Sequence, residues 1–262
     1  MFLFYSGVSL GMDCSPFARP WMVHFSSGQT GVLLNKWWVL TQMSYHDGSQ
    51  KALAQLGVDD LSGQSDGEQQ IPVDMWINHD PYSGYRRRKR SPLHDLALVR
   101  LAQPARLTPQ VQPVALPTHC AQSGELCVAT GYGSRSGSRK QQCLVQQVLS
   151  ESVCRQLNPM HWSPYMTCTG SHPSAGGNCM SGSSILVCGG VLQGVDGFGW
   201  LSEGCPAGKP DTYSKVCLYR RWIDSTMSSM TPTELPTTPP PFTLPPETTT
   251  TTMWWWDHDF VS

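Results

Sequence analysis

The sequence is short of charge and has no long apolar runs. Asp, Glu, Lys and Arg make up 14% of its 262 residues and leave a net charge of -1. Nothing global therefore points to nucleic acid or to an acidic substrate. No apolar run approaches the ~20 residues of a membrane-crossing helix, so no membrane span is expected. There is no CxxC pair and no cysteine–histidine cluster at ligand spacing, the usual sequence signs of a zinc site. Neither a metal nor a cofactor is expected, and no internal repeat is visible.

What is present is cysteine, ten in all, an even number that points to disulfides formed in an oxidising compartment. The chain is long enough for one large domain or two small ones with a buried core. Its first residues, "MFLFYSGVSLGMDC", run apolar from Phe2 to Leu10 and end in the small-x-small step Ser9-x-Gly11. We read residues 1–11 as a signal peptide and the protein as secreted, although the stretch is short and lacks a basic start. The competing reading is a first strand of the folded domain.

From Cys14 to about Met227, short apolar runs such as "GVLLNKWWVLT", "IPVDMWI", "DLALVRL" and "SSILVC" alternate with Gly, Pro, Ser and Asn. That rhythm predicts an all-β barrel or sandwich over residues 12–228. Near its end, "YRRWIDSTM" places Tyr219, Trp222 and Ile223 on one face of a helix. Residues 229–262 are Thr/Pro-rich, "TPTELPTTPPPFTLPPETTTTT", and read as an extended or O-glycosylated tail. The closing Trp254-Trp255-Trp256 is either a docking motif or an accident of a weakly constrained terminus.

Five stretches in order resemble the trypsin-like serine proteases, the chymotrypsin-fold family that includes kallikreins and granzymes. They are "CSPFARPWMV", "NKWWVLTQ", "HDLALVRL", "LPTHCAQSGELCVATGYG" and "KPDTYSKVCLYRRWI". The resemblance covers about residues 14 to 226. It implies two packed six-stranded antiparallel Greek-key barrels with a C-terminal helix. It also implies the pairs Cys14–Cys143, Cys120–Cys217, Cys127–Cys188, Cys154–Cys168 and Cys179–Cys205, which use every cysteine.

The family's reaction needs a nucleophilic serine, a histidine base, an aspartate that orients it, and backbone N–H groups for the oxyanion. Asp95 occupies the aspartate position. The histidine is lost: the family's "AAHC" is "QMSY" here, placing Ser44 at the base position. A hydroxyl does not accept the nucleophile's proton at neutral pH. His46 is two residues on and, in a helical turn, off that face. His94, beside Asp95, is expected on the opposite face of a strand. Tyr45 and the stretch "SSGQTGVLL" replace both halves of a family disulfide.

The serine loop is one residue short, "CMSGSSILVC" against the family's "CQGDSGGPVVC". Counted from the left, Ser181 is the nucleophile; counted from the right cysteine, Gly182 falls there and Ser183 follows. The Gly-Asp pair before the serine, which supplies an oxyanion N–H and the activation-switch carboxylate, is gone. The "IVGG" activation signature before Cys14 is gone with it. Ser181 reads as a vestige.

In the resembling pocket, Gly177 stands at the floor where trypsin carries an acid, and Asp211 replaces a wall glycine of "KPGVY". Either the acid has moved and still attracts a basic side chain, or Asp211 is solvated or paired. Phe198 and Gly199 in "DGFGW" resemble the "SWG" edge that pairs with extended peptides, with Gly197 replacing its serine. Arg86, Arg87, Arg88, Lys89 and Arg90 form a basic run that reads as a polyanion patch, a processing site or a solvated loop. Asp59, Asp60, Asp66 and Glu68 lie where the family has a calcium loop, but Val58 takes a ligand position, so a solvated hairpin is favoured.

The expectation is a secreted, monomeric protease homologue without proteolytic activity that binds a protein or a polyanion such as heparan sulfate. The alternative is an active serine endopeptidase with a rearranged site, using His46 with Ser181 or Ser183. A third possibility is a structural protein in which the tail matters most.

Overall fold

Apolar runs broken by turn residues become thirteen strands among the described residues of the computed structural model. Those residues are 12–43, 52–63, 66–79, 94–132, 139–159, 162–170, 183–196 and 210–230. The first barrel contains β2 (Met22–Phe25), β3 (Thr30–Asn35), β4 (Trp38–Thr41), β5 (Leu53–Leu56), β6 (Gln69–Asn78) and β7 (Ala97–Leu101). It closes in the order β2-β3-β4-β7-β6-β5, antiparallel throughout.

The second barrel contains β8 (Leu126–Tyr132), β9 (Gln141–Val148), β10 (Met166–Gly170), β11 (Ser184–Cys188), β12 (Val191–Asp196) and β13 (Asp211–Lys215). Its order is β9-β10-β13-β12-β11-β8, and the β8–β9 pairing closes the ring. A short β1 (Met12–Asp13) pairs with β9 outside that ring. The structure therefore has the two six-stranded antiparallel barrels and C-terminal helix that the resemblance implied.

The run "GVLLNKWWVLT" is apolar almost without a break because it forms a hairpin buried on both faces. Leu33 and Val39 point into the first barrel with Phe25, Leu56 and Val99. Their neighbours Val32, Leu34, Trp38 and Leu40 point the other way, into the seam, against Ile185, Val187, Leu192 and Val195 of the second barrel. Alternation along a strand thus serves two cores at once. Gly31 shows how tightly this is packed: a Cβ there would meet Val39 Cγ1 at 2.6 Å and Phe25 Cε2 at 2.9 Å.

Helix α1 (Glu151–Leu157) is capped by Ser150, whose Oγ accepts from the Val153 N–H at 3.3 Å. Helix α2 (Arg220–Met230) follows a tight turn at Val216–Tyr219. Tyr219 and Ile223 are buried in the seam and Trp222 packs at its edge, the face expected from their spacing. Cysteine pairs join Cys14 to Cys143, Cys120 to Cys217, Cys127 to Cys188 and Cys154 to Cys168. Cys179 and Cys205 lie outside the described residues. Among the described residues no helix is long and apolar enough to cross a membrane.

Candidate functional site

Asp95 sits just before β7, buried at the seam end of the first barrel. Its Oδ1 accepts from the Met43 backbone N–H at 3.1 Å. The carboxylate therefore still holds the chain at the end of β4, one residue before Ser44. Ser44 and His46 themselves lie outside the described residues, as do Gly177, Ser181, Phe198, Gly199 and Arg86 to Arg90.

The strand alternation expected to turn His94 away from the site does not apply to it. It is not on a strand: β7 begins at Ala97, and His94 is in the preceding turn with φ +65°, a left-handed backbone that few side chains adopt. Its Nδ1 lies 3.0 Å from the Tyr219 hydroxyl. The ring stacks on His79 at 5.0 Å and meets Tyr165 edge-on at 4.8 Å. Aromatic packing, not strand alternation, directs this imidazole.

Ser183 is also accounted for. Its hydroxyl accepts from the Thr30 backbone N–H at 2.6 Å across the seam, and the Thr30 carbonyl accepts from Thr41 Oγ1 at 2.7 Å. Ser183 is 6% exposed. It joins the second barrel to the first, a role its neighbours in "SGSS" did not disclose.

In the acidic hairpin, the Asp60 carboxylate accepts from the Ser62 N–H at 2.8 Å and its Oγ at 2.6 Å. The Glu68 carboxylate accepts from the Gln55 and Gln70 amides. Among the described residues no three His, Cys, Asp or Glu side chains gather as a metal site.

The second barrel's interior carries the electrostatics. Asp211 opens β13, and its carboxylate accepts from Gln146 Nε2 on β9. Burial pushes this carboxyl up to about 7, against the opposing pull of the Gln146 hydrogen bond. Asp196 ends β12 directly opposite Tyr213. Burial holds its carboxyl well above the usual carboxylate range, and the charges of Asp211 and then Asp95 push the same way, opposed by hydrogen bonds from Ser184. As whole residues both are only half-buried, while their carboxyl groups sit among protein atoms.

Asp196 escaped the sequence reading, in which "DGFGW" drew attention only to Phe198 and the two glycines. A signal was present. Asp196 is two residues from Gly194, where a Cβ would meet Tyr213 Cβ at 2.6 Å, so an acid shares the close-packed inward face of β12. The Asp211 carboxylate is hydrogen-bonded to Gln146.

Comparison with known proteins follows the same outline. The family model described as Trypsin matches residues 9–223, starting inside the stretch read as a signal peptide. Kallikrein-15 of Saguinus oedipus is 34% identical over 240 residues, covering 83% of this chain and 90% of the relative. Trypsin-2 of Salmo salar is 34% identical over 228 residues, covering 84% of this chain and 94% of the relative. The solved structure of neuropsin, a serine protease expressed in the limbic system of mouse brain, aligns with a TM-score of 0.71 at 33% identity. It covers 83% of this chain and 98% of that one. With the barrels, the buried Asp95 and these relatives in agreement, the chain belongs to the trypsin-like serine protease family.

Proposed function

We propose that this is a secreted trypsin-like serine protease homologue that does not cleave peptides by the family mechanism and acts by binding. The observation that carries this reading is the sequence substitution of Ser44 for the base histidine, in a chain that keeps a buried Asp95 bonded to the Met43 N–H. With serine in place of the histidine, the family mechanism lacks the proton acceptor that the retained aspartate would orient. Loss of a triad member costs several powers of ten in rate, and loss of the oxyanion glycine adds about 10²–10³ when it acts independently.

The alternative, an endopeptidase using His46 with Ser181 or Ser183, is weakened at Ser183, whose hydroxyl oxygen already accepts the Thr30 N–H inside the seam. Binding is supported by the basic run Arg86 to Arg90, which suits a polyanion or an acidic protein surface. The four cysteine pairs fit an extracellular setting, and the domain is read as residues 12–228 between a signal peptide and a Thr/Pro tail.

A fluorophosphonate probe tests the catalytic part. Secreted protein stays unlabelled if the reading is right; labelling abolished by Ser181→Ala overturns it. Heparin chromatography tests the binding part. Retention lost on replacing Arg86 to Arg90 by alanine supports a polyanion partner, and unchanged retention rejects it.

A further inference from the structure

The outer wall of the second barrel carries the two most exposed large apolar side chains among the described residues, Leu126 at 65% and Val145 at 59%. They form one patch. Leu126 pairs with Gln147 and Val128 with Val145, so Leu126 and Val145 are diagonal neighbours on one face, with half-buried Val128 beside both. An apolar patch on a strand edge invites a covering segment.

The pairing of β9 shows where that segment would lie. One edge of β9 is taken by β8 from Gln141 to Gln147. The other edge is shared: β1 takes Gln142 and Cys143, and β10 takes Gln147 and Val148. Between them, no described strand stands against Leu144, Val145 or Gln146 on that edge. Gln141 turns its N–H and carbonyl to the shared edge, toward Asp59 and Cys14, whereas Val148 turns both toward Glu125 and Gly124 on the β8 side. Because these directions alternate along an antiparallel strand, the odd-numbered residues of β9 address the shared edge. Val145 is the one odd-numbered residue in the gap.

The chain's own start fits this gap. Residues 1–11 lie outside the described residues, but β1 sets their register, with Met12 opposite Cys143 and Asp13 opposite Gln142. Carried back, that register puts Gly11 opposite Leu144, Leu10 opposite Val145 and Ser9 opposite Gln146. The residue types agree with the two faces. Leu144 and Gln146 are buried in the barrel wall and would meet glycine and serine, while the outward Val145 would meet leucine. Gly170 of β10, opposite Gln147, closes the gap just past Ser9, and the Cys14–Cys143 bond pins its other end. The family match also takes up the chain at residue 9. We propose that the patch of Leu126, Val128 and Val145 is a docking site for residues Ser9 to Gly11, which extend β1 along β9 as a strap. Leu10 then exchanges both backbone hydrogen bonds with Val145 and lays its side chain across the patch. This moves the domain boundary from residue 12 to Ser9 and leaves the reading of Ser44 untouched. Any cut that frees the chain for export falls ahead of Ser9, since a cut after Gly11 would remove the strap and bare the patch.

The test uses the full-length chain, expressed for secretion. N-terminal sequencing of the secreted protein should find a first residue at or ahead of Ser9. Hydrogen exchange resolved to single amides should show the Val145 N–H protected about a hundredfold or more over its intrinsic rate. Leu10→Pro removes the Leu10 N–H and disrupts the strap as a strand. It should speed exchange at Val145 about tenfold or more, while Leu144 and Gln146, whose N–H groups face β8, keep their rates.

A first residue beyond Ser9 overturns the strap and keeps the boundary at residue 12. A wild-type Val145 amide that exchanges at its intrinsic rate also overturns it, whether or not the variant folds. So does a Val145 rate that Leu10→Pro leaves unchanged, or one that rises only as much as those of Leu144 and Gln146. None of these readouts depends on whether the protein cleaves peptides or binds a polyanion.

Discussion

Replacing Asp211 by asparagine should stabilise the protein at alkaline pH and hardly at all at acid pH. The folded structure raises this carboxyl from an ordinary 3.8 to about 7. Between those values the folded chain holds a proton that the unfolded chain has released, so stability falls as pH rises. The contribution is fully present below about pH 4 and lost above about pH 7. At 1.36 kcal/mol per pKa unit, the full difference is at most about 4 kcal/mol. The hydrogen bond across the barrel drops out of this arithmetic, since the Gln146 Nε2 donor can still meet the side-chain oxygen of the introduced amide. Denaturant unfolding with the disulfides intact, repeated at steps from about pH 4 to about pH 8, measures the effect. The variant should match the wild type near pH 4 and exceed it by about 2–4 kcal/mol near pH 8, with Asp196 leaving a residual slope in both. A difference that does not change with pH would refute the assignment of a buried, proton-holding Asp211.

Ser183→Ala should leave the Thr30 N–H unpaired across the seam and lower unfolding stability by about 1–3 kcal/mol, while probe labelling stays at background. Tyr219→Phe should remove the partner of His94 Nδ1, costing about 1 kcal/mol in stability and shifting the His94 ring resonances in NMR spectra. Ser44→His restores an imidazole to the base position beside Asp95 but not the Gly-Asp pair of the serine loop. Fluorophosphonate labelling should therefore remain at background, and robust labelling would show that the loop loss is tolerated.

Much of the scaffold is legible in the order of residues alone. Spaced apolar runs and turn residues point to an all-β barrel or sandwich, and the family resemblance implies two barrels. The helix face of Tyr219, Trp222 and Ile223 follows from a period near 3.6. The vacated base position is a matter of residue identity: Ser44 cannot do what histidine does, wherever the fold puts it.

What the tertiary structure decided are the partnerships across long stretches of chain. Ser183 meets Thr30 at a sequence separation of 153, and Gln146 meets Asp211 and Tyr213 at 65 and 67. Strand periodicity assigns each of these residues a face but says nothing of what stands opposite. His94 shows the same limit locally, because a left-handed turn before β7 removes it from the alternation that its neighbours obey. The chain by itself determined the all-β class and the missing base, and its resemblance implied the two barrels. Only closure of the second barrel brought the Asp196 and Asp211 carboxyls among buried atoms, where desolvation holds both above their ordinary range.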